Sequence, residues 1–230
     1  MRVGVGARLA GYTIIRMRAG LVAVLVALVA SQATTGAVQT TVDFAAIDEA
    51  LTLARVSSDT ARARFHEAYR LIAARAPVDY LEVVSPYRRI VIAAQQRAAG
   101  GDRSFGQRQA LELLGKAGGQ IDLYVEMTFN PLNTLIGVPE YDVALIGRGN
   151  TRVGARSIDR LSRWTPRIDG LPAALPSGGS GPPRGQPLLG ATLIARFDLQ
   201  SIDPEGSYDV VISERGDALA SVKLDLARLR

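Results

Sequence analysis

The chain has 230 residues, 47% of them apolar, a composition that is typical of a folded globular protein. It contains no cysteine, which excludes disulfides, a thiolate nucleophile and a sulfur-ligated metal site. Its formal net charge is +5, but four of the 27 basic residues lie within the first 18 positions, which leaves 23 against 22 acidic ones. The rest of the chain therefore lacks the excess of positive charge expected of a nucleic-acid-binding protein, and no nucleic-acid partner is predicted.

The N-terminal segment has the pattern of a signal peptide. Residues 19–30 form an uninterrupted apolar run, shorter than the roughly 20 residues of a membrane-spanning helix but within the about 7 to 15 of a signal-peptide core. Arg16 and Arg18 precede this run, and the first acidic residue of the chain is Asp43. We therefore predict that residues 1–37 are a signal peptide, with an uncleaved N-terminal anchor as the alternative.

Small residues behind the apolar run supply two cleavage positions. Cleavage is expected after Ala33 or Ala37, and Met17 offers a second start position that would give a signal of ordinary length. The sequence thus predicts a protein exported to the periplasm or the extracellular space, with no stable transmembrane span after cleavage.

Four segments between residues 41 and 118 have apolar residues spaced three and four apart, which predicts four amphipathic helices. The predicted apolar faces are Phe44, Ile47, Leu51 and Ala54 in the first helix, Phe65, Tyr69 and Ile72 in the second, Tyr87, Ile90, Val91 and Ala94 in the third, and Leu111 and Leu114 in the fourth.

Capping residues, proline and glycine set the expected limits of these helices. Asp59 is expected to cap the second helix, and the Ala-Pro pair at 76–77 to end it. The Ser-Pro pair at 85–86 opens the third helix, and Gly118 follows the fourth. The stretch YLEVV at 80–84 is compatible with either a helix or a strand.

After residue 119 the period of the apolar residues changes from helical to two, which is typical of β-strands. Apolar and polar side chains alternate through residues 121–129, which predicts a strand with one buried and one solvated face. The polar positions of this strand are Asp122, Tyr124, Glu126 and Thr128.

Further strands are predicted at 141–147 and 192–199, and the Gly-containing turn ERGD joins 207–213 to 218–226 as a hairpin. The inward face of the last strand is predicted to be Ala220, Val222, Leu224 and Leu226. Residues 171–187, rich in Pro, Gly and Ser, are expected to be a long exposed loop.

The order of these elements predicts an α+β fold. A layer of three or four helices, at 41–118, would be followed by an antiparallel β-sandwich-like region at 119–230.

Motifs for catalysis or cofactor binding are missing from the sequence. His66 cannot belong to an HExxH zinc motif because the fourth residue after it is Arg70. The nearest approach to a GxSxG elbow is Ser180, where Pro182 replaces the second glycine. No Gly-rich stretch has phosphate-loop spacing. We therefore predict no catalytic residue and no cofactor, and interpret His66 as an ordinary residue of a helix surface.

Four acidic residues between positions 198 and 209 form a candidate metal site. They are Asp198, Asp203, Glu205 and Asp209. Carboxylate oxygens on a loop can hold calcium, but the spacing differs from that of an EF-hand, and DPEG at 203–206 is a good β-turn by itself. The β-turn is the favoured interpretation.

A row of arginines with a four-residue spacing is the second candidate. It consists of Arg148, Arg152, Arg156 and Arg160, followed by Trp164. A solvated edge that protects a sheet from aggregation is the favoured interpretation. The functional alternative is contact with an anionic envelope polymer, a lipid surface or another envelope protein, since guanidinium groups bind phosphate and carboxylate oxygens.

The sequence therefore favours a non-enzymatic, exported binding or assembly protein of the cell envelope. The alternative is a carboxylate-dependent hydrolase acting on an envelope polymer, which would need two close carboxylates with raised pKa values in one cleft. A third interpretation is a subunit of a larger complex.

Overall fold

The computed structural model describes residues 38–39, 41–56, 58–73, 75–164 and 186–230. The predicted signal peptide lies outside these residues, as do residues 171–185 of the predicted loop. Within these ranges no helix has the length and the apolarity needed to cross a membrane.

Four α-helices and nine β-strands are present in the described part of the chain, and the predicted α+β fold is confirmed. The helices are α1 (Phe44–Ala54), α2 (Asp59–Glu67), α3 (Pro86–Ala99) and α4 (Gln107–Ala117). The strands are β1 (Arg70–Ile72), β2 (Val78–Val84), β3 (Gln120–Thr128), β4 (Tyr141–Ile146), β5 (Arg152–Gly154), β6 (Ser157–Arg163), β7 (Gly190–Asp198), β8 (Ser207–Glu214) and β9 (Asp217–Asp225).

The strands form two antiparallel sheets. One sheet has five strands in the order β1-β2-β3-β7-β6, and the other has four in the order β5-β4-β8-β9, counted over the described residues. The apolar faces of the two sheets share one core, to which Leu123 and Leu193 contribute from the first sheet and Val143 and Val210 from the second. Two sheets that bury their inner faces against each other form a sandwich.

The C-terminal hairpin has the predicted register. Leu224 is only 1% exposed while its neighbour Lys223 is exposed, so the predicted inward face of β9 is confirmed. Arg215 and Gly216 have φ angles of 51° and 94°, as a tight turn of the I′ kind requires at both central positions.

The helices α1, α3 and α4 form a second, smaller core, which contains Ile47, Leu51, Ile90 and Ala110. Three of the helices begin where a side-chain oxygen accepts a bond from a first-turn N–H, because these N–H groups have no partner inside the helix. The capping contacts are Asp43 Oδ1 to Ala46 N at 2.8 Å, Ser58 Oγ to Ala61 N at 3.3 Å and Ser85 Oγ to Arg88 N at 3.2 Å.

Several predictions for the first half of the chain are wrong. The second helix is capped by Ser58 instead of Asp59, and it ends at Glu67 instead of at 76–77. The chain then forms β1, in which Ile72 is 71% exposed, and 80–84 belongs to β2. Residues 41–118 therefore supply four helices and also two strands of the five-stranded sheet.

Two predicted apolar faces also need correction. Phe44 begins α1 on the side away from the helical core and is 64% exposed. Leu111 is 42% exposed, so α4 packs through Ala110 and the predicted Leu114.

The predicted solvated face of β3 is buried at Asp122 and Glu126, while Thr128 at the end of the strand is exposed as predicted. Asp122 is 3% exposed and Glu126 is 2% exposed, because this face of the sheet lies under other parts of the fold instead of in water. Helix α3 covers part of it, since Arg88 contacts Glu82 on β2 and Arg89 contacts Asp122 on β3. Alternation along a strand thus separates two faces without showing which of them is wet.

Candidate functional site

A cleft of about 1140 Å³ opens between α2, α3 and the β1–β2 edge of the five-stranded sheet. We call it the α2–α3 cleft. Apolar side chains from all three sides line it, among them Ala63, Ile72, Ile92 and Ala99. Polar side chains also line it, among them His66, Arg70, Glu82 and Gln95. Ligand sites commonly combine apolar walls with a few converging polar groups in this way.

Glu82 connects the cleft to the interior of the protein. Arg70 and Glu82 are partners across β1 and β2, so their side chains project from the same face of the sheet. Nη2 and Nε of Arg70 donate to Oε1 of Glu82 at 2.6 and 3.1 Å. Nη2 of Arg88 donates to Oε2 at 3.1 Å. The carboxylate is 1% exposed and is held on both oxygens by charged donors.

Arg88 is fully buried beneath the cleft. Its Nη1 donates to the carbonyl oxygen of Val83 at 2.6 Å, and its guanidinium carbon lies 4.9 Å from the ring centre of Tyr69. Burial lowers the pKa of Arg88, and the charge of Glu82 opposes this shift. Because an isolated buried charge is costly, the Glu82 carboxylate is the partner that makes this position tenable.

His66 extends the same network to α3. Its Nδ1 lies 3.4 Å from Nη2 of Arg88, and its Nε2 lies 2.8 Å from Oε1 of Gln95. Since a guanidinium can only donate, Nδ1 is the acceptor and Nε2 carries the hydrogen that is donated to Gln95. Burial lowers the pKa of His66, which favours this neutral form at neutral pH. The interpretation of His66 as a helix-surface residue is corrected, because the side chain is half-buried in the cleft.

The described lining of the cleft lacks hydroxyl and thiol side chains. Among its described lining residues there is no serine, threonine, cysteine or tyrosine. Both ring nitrogens of His66 are engaged, so neither is free to accept a proton from a substrate.

Two buried carboxyl groups with raised pKa values lie elsewhere on the helix-facing side of the sheet. Burial raises the pKa of Glu126 to about 7, against the hydrogen bond that Thr192 donates at 2.5 Å. Burial also raises the pKa of Asp122, against the neighbouring charge of Arg89. Neither residue lines the α2–α3 cleft. They stand four positions apart on β3, roughly 13 Å along the strand, further than the about 5 to 9.5 Å between the carboxyl groups of glycosidases.

The predicted arginine row is divided between two sheets. Arg148 lies in a short 3₁₀ turn, Arg152 on β5, Arg156 between strands and Arg160 on β6. In the described residues, β5 is an edge strand of one sheet and β6 an edge strand of the other. All four side chains are exposed, as both interpretations of the row require. Trp164 is half-buried and packs against the sandwich core.

The arginine row does not pair with the acidic residue that lies within it in the sequence. Nη2 of Arg160 donates to the carbonyl oxygen of Tyr141 at 2.9 Å. The acidic residue within the row, Asp159, pairs with Arg196 at 2.6 Å instead of with a member of the row. Binding of an anionic partner here stays a prediction.

Two of the four acidic residues of the candidate metal site shape turns. Oδ1 of Asp198 accepts from Gln200 N at 3.0 Å, and Oδ1 of Asp203 accepts from Glu205 N at 3.0 Å. Asp209 lies on β8, and its side chain is exposed. No group of three or more His, Cys, Asp or Glu side chains in the described ranges is placed to hold a metal ion. The geometry supports the β-turn interpretation.

No family model, curated protein or solved structure matches the chain.

Sequence reasoning missed Glu82, Arg88 and Gln95. The available signal was a charged residue inside an apolar context: Glu82 between valine and leucine residues of β2, and Arg88 beside the apolar face of α3. Buried charges are rare unless they are paired, so two such positions near each other in the chain point to a buried ion pair.

Proposed function

We propose that this protein is an exported, non-enzymatic binding protein of the cell envelope, and that the α2–α3 cleft holds its ligand. The observation that carries the proposal is the cleft itself, in which apolar walls surround converging polar groups that a buried ion pair holds in place. Pockets for drug-sized ligands span roughly 300 to 1,000 Å³, so a cleft of about 1140 Å³ has room for such a ligand.

The rigidity of the polar groups also supports the proposal. Arg70 is fixed by two hydrogen bonds to Glu82, and each ring nitrogen of His66 has one partner, Gln95 or Arg88. Groups that are already ordered lose little conformational freedom when a ligand arrives, which favours affinity.

A cavity-filling substitution tests the assignment of the site. The uncharged fluorophore N-phenyl-1-naphthylamine becomes brighter in an apolar environment, and we expect the purified protein to bind it. Ala63→Trp should fill part of the cleft and weaken this binding by about tenfold or more. The matched control is Ala61→Trp, on the same helix at an exposed position that does not line the cleft.

Wild-type protein that fails to bind the fluorophore would contradict the proposal. So would equal binding by the Ala63→Trp and Ala61→Trp variants, because the fluorophore would then occupy another surface.

Export is the second part of the proposal, and the N-terminal sequence supports it. We expect the mature chain to begin at Thr34 or Val38 and Leu25→Arg to keep the protein in the cytoplasm, because a charge interrupts the apolar core. N-terminal mass spectrometry of the exported protein checks the first expectation, and cell fractionation of the Leu25→Arg variant checks the second. Recovery of intact residues 19–30 on the mature chain would overturn this part alone.

A further inference from the structure

We infer that the ligand of the α2–α3 cleft is an amphiphile with a single oxyanion head group, which binds at Arg70, and an apolar body. This inference rests on the proposed function and specifies its ligand class. It follows from the charge balance, the hydrogen-bonding balance and the wall composition of the cleft.

The charge balance at the floor of the cleft favours an anion. Two guanidinium groups, from Arg70 and Arg88, share the single carboxylate of Glu82. The neutral form of His66 adds no charge, so these groups together carry one excess positive charge. Arg88 is sealed at 0% side-chain exposure, whereas Arg70 is 34% exposed and lines the cleft. A ligand can therefore reach the excess charge only through Arg70.

Arg70 keeps a donor for such a ligand. Its Nε and Nη2 both donate to the same oxygen of Glu82, and Nη1 has no hydrogen-bond partner among the described residues. The guanidinium carbon lies 4.4 Å from the ring centre of Tyr80, so the ring also holds the group in place. Guanidinium groups in fixed orientations bind carboxylate and phosphate oxygens particularly well.

The hydrogen-bonding balance also favours an acceptor over a donor. Nε2 of Gln95, a side chain that lines the cleft, is a buried donor without a partner among the described residues. Both nitrogens of His66 and both oxygens of Glu82 are already engaged. A head group that only donates, such as an ammonium, would find no unoccupied acceptor on His66 or Glu82 and would also meet the positive charge of Arg70.

The rim limits the charge of the ligand. Asp59 is paired with Arg62, but Glu67 also lines the cleft and would repel a strongly negative ligand. Glu67 has no ion pair among the described residues, so one excess positive charge at the floor and this acid at the rim suit a single negative charge better than a polyanion.

The walls favour an apolar body behind the head group. Ile72 and Ile92 face the cleft from β1 and α3, and Ala63 and Ala99 leave space between them. Ile72 is 71% exposed, so a bound alkyl or ring system would remove it from water.

Displacement of N-phenyl-1-naphthylamine by ten-carbon amphiphiles tests the inference. The probes are decanoate, decyl phosphate, decanol and decylammonium, all below their micelle concentrations. We expect decanoate or decyl phosphate to displace the fluorophore at concentrations at least about tenfold lower than decanol, and decylammonium to be weakest. The better of the two anions identifies the head group as carboxylate or phosphate.

Variants at Arg70 connect the preference to this side chain. Arg70→Gln should reduce the anion-to-alcohol preference to about one, and Arg70→Lys should retain part of it because the charge is kept. Arg64→Gln, an exposed position on α2 outside the cleft, should change nothing. The preference is a ratio within each variant, so a modest loss of stability does not affect it.

Each outcome has a distinct meaning. If the fluorophore binds but decanol competes as well as the anions, the inference fails while the proposed binding function stands. Persistence of the anion preference in Arg70→Gln also overturns the inference. If the fluorophore itself does not bind, the proposed function fails.

Discussion

Two regions of the molecule are rich in arginine, and they differ in what the guanidinium groups contact. Arg70, Arg88 and Arg89 lie between the helices and the five-stranded sheet, and each is paired with a buried carboxylate. The arginines between positions 148 and 160 lie on exposed edges of two sheets.

Regular spacing made the exposed row conspicuous, while the buried group has no spacing that attracts notice. Regular spacing in a sequence does not show which charges are buried, and the energetic effect of a charge depends on that burial. A charge pair has a much larger effect when little water screens it. The two regions should therefore respond very differently to substitution.

The largest expected effect on the free energy of unfolding is at Arg88. Arg88→Met keeps most of the side-chain volume. It removes the positive charge that pairs with Glu82 and the donor that bonds the Val83 carbonyl. Removing one partner of a buried ion pair typically costs about 3 to 5 kcal/mol of unfolding free energy. Urea denaturation monitored by circular dichroism measures the change.

A matched control separates burial from charge. Arg108→Met, at an 84% exposed side chain whose ion pair with Glu112 spans 4.0 Å, should cost about 0.5 kcal/mol or less. The double variant Arg88→Met with Glu82→Leu should cost less than the sum of its single changes, because Glu82→Leu alone leaves the buried charge of Arg88 without its carboxylate. Similar losses for Arg88→Met and Arg108→Met would show that the buried network contributes no more than a surface pair.

The second prediction concerns how stability depends on pH through Glu126, a buried carboxyl group on the helix-facing side of the five-stranded sheet. The pKa of Glu126 is raised from 4.5 to about 7 by burial, so the folded protein favours the protonated form. The resulting contribution to stability is fully present below about pH 4.5 and is lost as the pH rises through about 7. At about 1.4 kcal/mol per pKa unit, the loss amounts to at most about 3 kcal/mol.

Glu126→Gln imitates the protonated carboxyl and should remove this loss. We expect the variant to gain stability relative to the wild type between pH 5 and pH 8, by up to about 3 kcal/mol. Glu112→Gln, at an exposed position on α4, is the control and should follow the wild-type pH profile. If Glu126→Gln also follows the wild-type profile, Glu126 is already ionised across this range and the assignment is wrong.

Local signals in the sequence predicted those parts of the fold that short-range chemistry decides. Ser85 followed by proline opens α3, and Gly118, with a φ of 61°, ends α4. The hairpin of β8 and β9 follows from alternation and a glycine turn. In each case the residues that determine the structure are close in the chain.

The other parts of the fold depend on pairing between distant segments, which the sequence does not show locally. Strand β2 exists because Leu81 pairs with Val125 more than 40 residues away, and β1, with three residues, is too short to show a period. The cleft needs α2, α3 and β1 together, so none of its polar contacts is visible within one segment. The same long-range packing buries Glu126 on the face that alternation predicted to be wet.

The smallest effect on stability is expected in the exposed arginine row. Arg152→Glu together with Arg156→Glu should change the unfolding free energy by about 0.5 kcal/mol or less, because both side chains are exposed. If the row binds an anionic surface, the same change should abolish cosedimentation with phosphatidylglycerol vesicles, and wild-type binding should weaken as salt screens charges within about 8 Å. Arg103→Glu with Arg108→Glu, also exposed, controls for net charge. Equal vesicle binding by the two double variants would leave the row as a solvated edge, in which case the charges that matter for ligand binding are those held against the sheet.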